Sequence, residues 1–460
     1  MKTYQDLLAC GDSEQKRAKF ILDAIAEHRL TKQYQTAVTA DAYRQQENET
    51  IAKYQKLLRT MTGEMVPNIY TANHKLKSGF FMVFVTQLSQ YLLGNGVQFK
   101  SEATKKKFGE KFDAVIQEAA EDAITHGVSF VFYDVEHVAN FSLLEFVPLY
   151  DEETGALRSG IRHWQIDDDK PQHITLYEED GVTGYKKQDD KPMEITQPKR
   201  GYKKTTRKAP ADAVGVETYD NYPSFPIVPL RHDRDGRSKL VGLREQIDAY
   251  DLIKSGFAND LDDANMIYWL IENAGGMDEK DIAQFLERLY KLHTAVVDGD
   301  DGAKATPHSI ESPYQARETS LKLIREDLYR DAMALDTSIL SAGNVTATQI
   351  KAAYEPLNEA ADRFEYRIIE CIQGLLAVAG LPAEVPTFQR SQISNTLEET
   401  QAIMMAAQYL DEETVIEKLP FLSADEKERA KKAALNSQIQ RGGIGTGKTD
   451  PGQDEPPLEE

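Results

Sequence analysis

The sequence predicts an α+β chain, mainly helical, with most of its strands in one stretch. Three observations carry this. Leu243, Ile247, Tyr250, Lys254, Phe257, Leu261, Ala264 and Tyr268 recur at alternating steps of four and three. That spacing keeps one stripe on one helix face. From Val128 to Lys187 the period changes to that of buried strands. Capping-box patterns at Ser312-Pro-Tyr-Gln315 and Thr346-Ala-Thr-Gln349 mark the starts of two more long helices.

The elements follow in order. Residues 1–60 are polar and helix-forming, with Phe20, Leu22, Ile25, Ile51, Leu57 and Leu58 as apolar anchors; Pro67 breaks the pattern. Asn73 to Leu93 reads as an apolar helix closed by Gly94-Asn95-Gly96, residues that tolerate positive φ. Lys105 to His126 reads as another, closed at Gly127. Val128 to Val135 and Phe141 to Leu149 read as strands, and Gly160–Ile166, His173–Tyr177 and Gly184–Lys187 continue the β character. Residues 61–235 are therefore expected to form helices packed on a meandering sheet. Within them, 186–208 holds nine Lys/Arg against three acids. A solvated hairpin or loop and a docking patch for a partner or nucleic acid both fit that run.

A long helix is expected from Lys239 to about Ile271 and a second from Pro313 to about Leu335. At 1.5 Å per residue they would be roughly 50 Å and 35 Å long, pillars rather than walls of a compact pocket. Between them, 272–312 reads as a compact insertion: a short helix at Asp278–Lys291, a strand at Thr294–Val297 and an exposed turn after it. After the turn Ser341-Ala342-Gly343-Asn344, a third helix runs from Ala347 to about Ala379, bent at Pro356 and stopped by Gly380 and Pro382. Residues 382–440 read as short helices, the last capped by Ser423. Residues 441–460 are Gly, Pro and acid, the composition of a disordered tail.

Composition narrows the function. The chain has 460 residues and a formal net charge of −21. A protein that coats nucleic acid is basic, because affinity comes from neutralising phosphates. An acidic wall could still surround nucleic acid without sticking to it. Cys10 and Cys371 have no metal-ligand spacing and read as reduced thiols. The N-terminus lacks a signal-peptide pattern, and the longest apolar run, Phe80 to Val85, is too short for a bilayer. A soluble protein with no membrane partner is expected.

No motif carries catalysis. Gly442-Gly-Ile-Gly-Thr-Gly-Lys448-Thr449 spells a P-loop, the one support for a nucleotide-driven enzyme. That chemistry needs a strand before the loop and a helix after it; here a helical segment precedes and Asp450-Pro451-Gly452 follows. Asp298, Asp300 and Asp301 lie in a Gly-punctuated run without EF-hand spacing, so a β-turn accounts for them. Asp260, Asp262 and Asp263 cannot all face one ion from one helix, and no His pair sits at i, i+4. Neither metal nor cofactor is expected. Lys254 interrupts the apolar stripe: it either snorkels past its neighbours or faces a lumen or another subunit.

In this order the parts resemble portal proteins of tailed bacteriophages, in particular the long-tailed, siphovirus-like class of head-to-tail connectors. The carriers are Tyr91 to Val97 (YLLGNGV), Leu243 to Ala264 (LREQIDAYDLIKSGFANDLDDA) and Leu335 to Tyr354 (LDTSILSAGNVTATQIKAAY). The resemblance covers roughly residues 45 to 400. It implies the portal fold with wing, stem, clip and crown. After an N-terminal helical segment, 1–60, the wing would be 61–235 with the long helix 347–381. Stem helices would be 236–271 and 313–336, the clip 272–312, the tunnel loop 337–346 and the crown 382–440. It further implies a homo-oligomeric ring of about twelve subunits around double-stranded DNA at one vertex of the phage head. Partners would be the terminase large subunit, a head-completion adaptor, and the major capsid and scaffolding proteins. Ser341, Ala342, Gly343, Asn344 and Val345 would form the channel constriction, and Asp298, Asp300 and Asp301 a docking face of the clip. An unrelated helical scaffold or adaptor is the other reading; it would lack an open channel.

Overall fold

The structure is a computed structural model. It describes residues 1–59, 63–68, 72–135, 137–189, 191–207, 216–264, 268–272, 280, 284, 304–308, 314–341, 346–391, 396–419 and 426–433. They fall into two compact units: Met1–Leu335 with Pro356–Ser391, and Asp336–Glu355 with Gln392–Glu460. The fold class is α+β, as expected.

The first unit opens with α1 (Tyr4–Ala9), α2 (Glu14–Leu30), α3 (Lys32–Arg44) and α4 (Glu49–Lys53). Thr31 both ends α2 and caps α3, its hydroxyl accepting from the Tyr34 N–H at 3.3 Å. A small hairpin, β1 (Leu57–Arg59) with β2 (Met65–Pro67), follows. Then come α5 (Phe80–Leu93), β3 (Val97–Gln98), α6 (Glu102–Lys106) and α7 (Phe112–His126). Two expected helices are corrected here. The one expected from Asn73 begins only at Phe80. The one expected from Lys105 is broken between Lys106 and Phe112, where Gly109 adopts φ +88°. The break lets Phe108 stack on Phe112, ring centroids 4.9 Å apart. Gly127 ends α7 at φ +93°, and a Cβ there would lie 2.2 Å from the Gly236 carbonyl. Only glycine satisfies both constraints.

Ten strands then alternate with turns: β4 (Val128–Asp134), β5 (His137–Ser142), β6 (Phe146–Tyr150), β7 (Leu157–Trp164), β8 (Gln172–Glu178), β9 (Gly181–Lys187), β10 (Glu194–Arg200), β11 (Lys203–Arg207), β12 (Val216–Asp220) and β13 (Ile227–Arg231). Strands β6 to β10 form an antiparallel meander in sequence order; β4 lies between β13 and β5 in a second sheet. The expected strand 141–149 is thus two, split at the 143–145 turn. The basic run 186–208 supplies the end of β9, the edge strand β10 and β11. Lys199 reaches Asp180 at 2.6 Å and Lys204 reaches Glu217 at 2.6 Å. Phe20, Ile21, Ala24 and Ile25 of α2 pack on Val147, Leu149, Ile161, Ile174 and Leu176 of the meander. A second cluster joins Phe130, Phe132, Phe141, Phe146 and Ile227.

Next come α8 (Arg244–Ala264), a hairpin of β14 (Tyr268–Glu272) with β15 (Lys304–His308), and α9 (Tyr314–Asp331). The first pillar is shorter than expected, because Tyr268 to Ile271 belong to a strand. At 21 and 18 residues the two helices span about 31 Å and 27 Å. The last long helix, α10 (Ala347–Ala379), contains Pro356 and belongs to this unit from that residue on. It buries Leu357, Ala361, Phe364, Ile368, Ile372 and Leu375 at helical spacing. Its Gly374 lies so close to Val228 of β13 that a Cβ would come within 2.7 Å of that side chain. The short strand β16 (Thr387–Phe388) pairs with β3.

The second unit holds a 3₁₀ turn, Thr337–Ser341, the first turns of α10, then α11 (Thr396–Ala406), α12 (Glu412–Lys418) and helical residues 426–433. Asp411 caps α12 by accepting from the Thr414 N–H at 2.9 Å. The Lys431 ammonium pairs with Glu413 and Glu417 one turn apart.

One interaction positions α8. Residues 72–79 run extended along it, opposite in direction. The N–H groups of Ser78, Leu76 and His74 donate to Asp251 Oδ1 at 2.9 Å, Ser255 Oγ at 2.9 Å and Asn259 Oδ1 at 2.6 Å. The His74 ring pairs with Asp262. Two extended residues advance about 6.6 Å and four helical residues about 6 Å, so the two repeats stay in step. Asp251, Ser255 and Asn259 are fully buried. Asp251 also accepts from the Asn48 amide, while Asp248 accepts from the Tyr43 hydroxyl and, at 2.7 Å, from Thr50. Burial raises the Asp251 carboxyl above its usual range, and the hydrogen bonds from Asn48 and Ser78 oppose that. Replacing Asp251 by Ala leaves the Ser78 N–H without its acceptor and the Asn48 amide with only the Ser78 carbonyl. Such losses cost about 1–3 kcal/mol per buried group. Chemical denaturation of Asp251→Ala should therefore show a loss of about 3 kcal/mol, with faster protease cleavage in 54–79. Unchanged stability and cleavage would mean the stripe does not hold the segment.

Candidate functional site

The site expected from the sequence is the helix pair with its insertion and the turn after it. Gln246 near the start of α8 donates to Asp331 at the end of α9 at 2.7 Å. Asp260 near the end of α8 meets Arg317 near the start of α9 at 2.5 Å. The helices therefore run antiparallel. The Phe80 ring, at the start of α5, meets Tyr250 of α8 and Tyr329 of α9 edge-on, at 4.9 Å and 6.1 Å. That wedge sets their spacing near one end. Toward the other, Leu252, Ile253 and Gly256 face Ala316, Arg317 and Ser320 across an open groove. Of the eighteen residues of α9, Leu328 alone is fully buried.

The expected stripe on α8 divides. Leu243 and Ile247 are buried, Tyr250, Lys254 and Phe257 are half-buried, and Leu261 is 51% exposed. Lys254 carries its ammonium 5.7 Å from the ring centroid of Tyr250, one turn back. The helix's best-buried face is the polar one that holds 72–79, which the apolar period did not reveal. Its signal was the step of four among Asp251, Ser255 and Asn259. Asp260 and Asp262 serve different neighbours, Arg317 and His74.

In the insertion, β14 and β15 form a five-pair antiparallel ladder from Tyr268↔His308 to Glu272↔Lys304. Asp298, Asp300 and Asp301 lie outside the described residues, as do most of Asp278–Lys291 and all of Thr294–Val297. The chain leaving α9 is clamped. Gln87 of α5 donates to the Leu335 carbonyl and accepts from the Leu335 N–H, both at 2.9 Å. A Gln set among apolar residues of the helix was its signal in the sequence. Ser341 ends the 3₁₀ turn; Ala342, Gly343, Asn344 and Val345 lie outside the described residues. At the start of α10 the capping box is formed. The Thr346 N–H donates to Gln349 Oε1 at 3.0 Å, and the Gln349 N–H donates to Thr346 Oγ1 at 3.3 Å. Gly442 to Thr449 also lie outside the described residues.

Among the described residues no cluster of His, Cys, Asp or Glu is placed to hold a metal ion. None of their helices is long and apolar enough to cross a membrane. The Cys371 thiol is buried and pushed up to about 12, which leaves it an inert packing group.

The family described as phage portal protein, SPP1 Gp6-like, matches residues 25–440. The chain is similar to the portal protein of Clostridium phage phiCD119, 26% identical over 231 residues, 48% of this chain and 51% of that one. It therefore spans about half the length of that relative. It is also similar to the portal protein of Bacillus phage SPP1, 23% identical over 415 residues, 83% of this chain and 80% of that one. Among solved structures, a chain from the neck of a native GTA particle, computed with C12 symmetry, is 12% identical at a TM-score of 0.43; the match covers 76% of this chain and 88% of that one. With its family match running through the α+β region, the helix pair and the short C-terminal helices, the chain belongs to the phage portal proteins of the SPP1 Gp6-like family.

Proposed function

We propose that the chain closes into a homo-oligomeric ring of about twelve copies at one vertex of the phage head. DNA is packaged and ejected through the channel of that ring. The observation that carries this reading is α9, whose eighteen residues leave only Leu328 fully buried in the single chain. A helix that long is stable when its faces are covered, and neighbouring copies provide cover through a head-to-tail interface. In this reading α8 and α9 are the stem, 272–312 the clip, 61–235 with 347–381 the wing and 382–440 the crown. Lys254 faces the lumen or the next subunit. The protein acts as a structural part of the virion, assembled in the host cytoplasm, with no catalytic role of its own.

Sliding suits the charge. A subunit of net −21 limits the counterion release that would trap DNA. Along the chain, segment 341–345 comes after Leu335, which Gln87 holds, and before a capped helix. Gly343 and Asn344 give it the freedom to follow a duplex surface as the channel constriction. The acidic turn at Asp298, Asp300 and Asp301 would steer the terminase large subunit during packaging and a head-completion adaptor afterwards. The major capsid and scaffolding proteins would surround the ring.

Light scattering and electron micrographs of the purified protein should show rings; a strict monomer under all salt conditions would sink the reading. Reversing Asp300 and Asp301 to Lys should leave rings formed and weaken terminase or adaptor binding by about tenfold. Unaltered binding of both would move the docking face elsewhere. Gly343→Val should lower packaging or DNA retention with rings intact. If the ring itself fails, the turn is structural rather than a DNA contact.

A further inference from the structure

The loop entering α8 and the end of α9 enclose an open recess of about 360 Å³. His232, Arg237, Lys239, Asp233, Asp331 and Met333 line it. Its acids are already engaged. Asp233 accepts from the N–H groups of Asp235 at 3.0 Å and Arg237 at 2.9 Å, with the Arg237 guanidinium 3.8 Å away. Asp331 accepts from Gln246 at 2.7 Å and pairs with Arg330 at 3.1 Å. Lys239 is different. Its main chain is fixed, the N–H donating to the Ile124 carbonyl at 3.0 Å. Its ammonium has no hydrogen bond or ion pair with any described residue. Burial alone pushes it down to about 8; burial, with the Lys239 charge beside it, pushes His232 down to about 4. A half-buried cation without a counter-charge is costly.

The rim is held in strain as well. At the end of α9 the Met333 N–H donates to the Arg330 carbonyl and the Ala334 N–H to the Tyr329 carbonyl, a Schellman turn. Met333 sits at φ +50°, where glycine is usual. A side chain retained there gives the recess an apolar wall.

We propose that this recess receives an Asp or Glu carboxylate from the neighbouring copy of the chain, paired with Lys239 across the subunit interface. The proposal rests on the ring reading above. A carboxylate from a second copy fits better than a nucleic-acid phosphate. The chain offers 75 acids against 54 Lys and Arg. DNA backbones are met by rows of exposed cations, whereas one lysine inside a recess matches one side chain.

Sedimentation velocity across a concentration series would compare the wild type with Lys239→Met and Lys239→Arg, alongside thermal melts of the unassembled subunit. Lys239→Met should keep or raise the subunit melting temperature, because an unpaired charge is gone. It should raise the ring-forming concentration by about tenfold, with Lys239→Arg close to the wild type. Rings of Lys239→Met at the wild-type concentration would overturn the pairing and leave the ring reading standing. A wild type that never forms rings would overturn both. A Lys239→Met subunit that loses its fold would make the lysine a structural residue and overturn the pairing. Inorganic phosphate supplies the last arm. If it raises the melting temperature of the wild type but not of Lys239→Met, and the ring threshold is the same in both, the recess is a free-anion site instead.

Discussion

The match between an extended segment and a helix, two residues against four, is the constraint on which the arrangement around α8 depends. Three alternate N–H groups, of His74, Leu76 and Ser78, find acceptors on three successive turns, at Asn259, Ser255 and Asp251. The same face takes Tyr43, Asn48 and Thr50 from the N-terminal helices. One side of α8 is thereby tied to the first eighty residues, leaving its groove with α9 open. Buried polar groups hydrogen-bonded in this way give geometry as well as stability.

Two clamps hold one end of the pair. Gln87 imitates a peptide group against Leu335, so the chain leaves α9 in a fixed direction. Phe80 wedges between Tyr250 and Tyr329. What is held firmly is therefore the base of the helix pair, near α5. The proposed contact of Lys239 with a neighbouring copy lies at that base too, where the recess is built from the α8 entry and the α9 exit.

Much of the fold was legible where one local signal dominates. The capping box at Thr346 and the end at Gly380 bracket α10 to the residue. The strand Val128–Asp134 follows from a run of β-branched and aromatic residues. Legibility failed where tertiary partners overrule local preference. Residues 73–79 lead straight into an apolar helix, yet the N–H groups of His74, Leu76 and Ser78 find acceptors on α8 rather than in a helix of their own. Tyr268 to Ile271 keep the step of the α8 stripe but pair with Ala305 to His308 as a ladder. The polar face of α8 was invisible to a search for apolar period, since Asp, Ser and Asn read as solvated until their partners are known. The basic run 186–208 read as a hairpin, a loop or a docking patch; its strands pair through backbone ladders with β9 and β12, and Lys–Glu and Lys–Asp contacts lie along them.

The central claim is that α8 is held on one side within the chain, while α9 awaits cover from other copies. Amide hydrogen exchange, before and after assembly, tests it most directly. In the unassembled subunit the amides of His74, Leu76 and Ser78 should be slow and those of Glu318 to Asp327 fast. Assembly should slow the α9 amides and leave the first three unchanged. Fast exchange at 74–78 beside a protected α8, or α9 amides as fast in the assembly as in the subunit, would contradict the account.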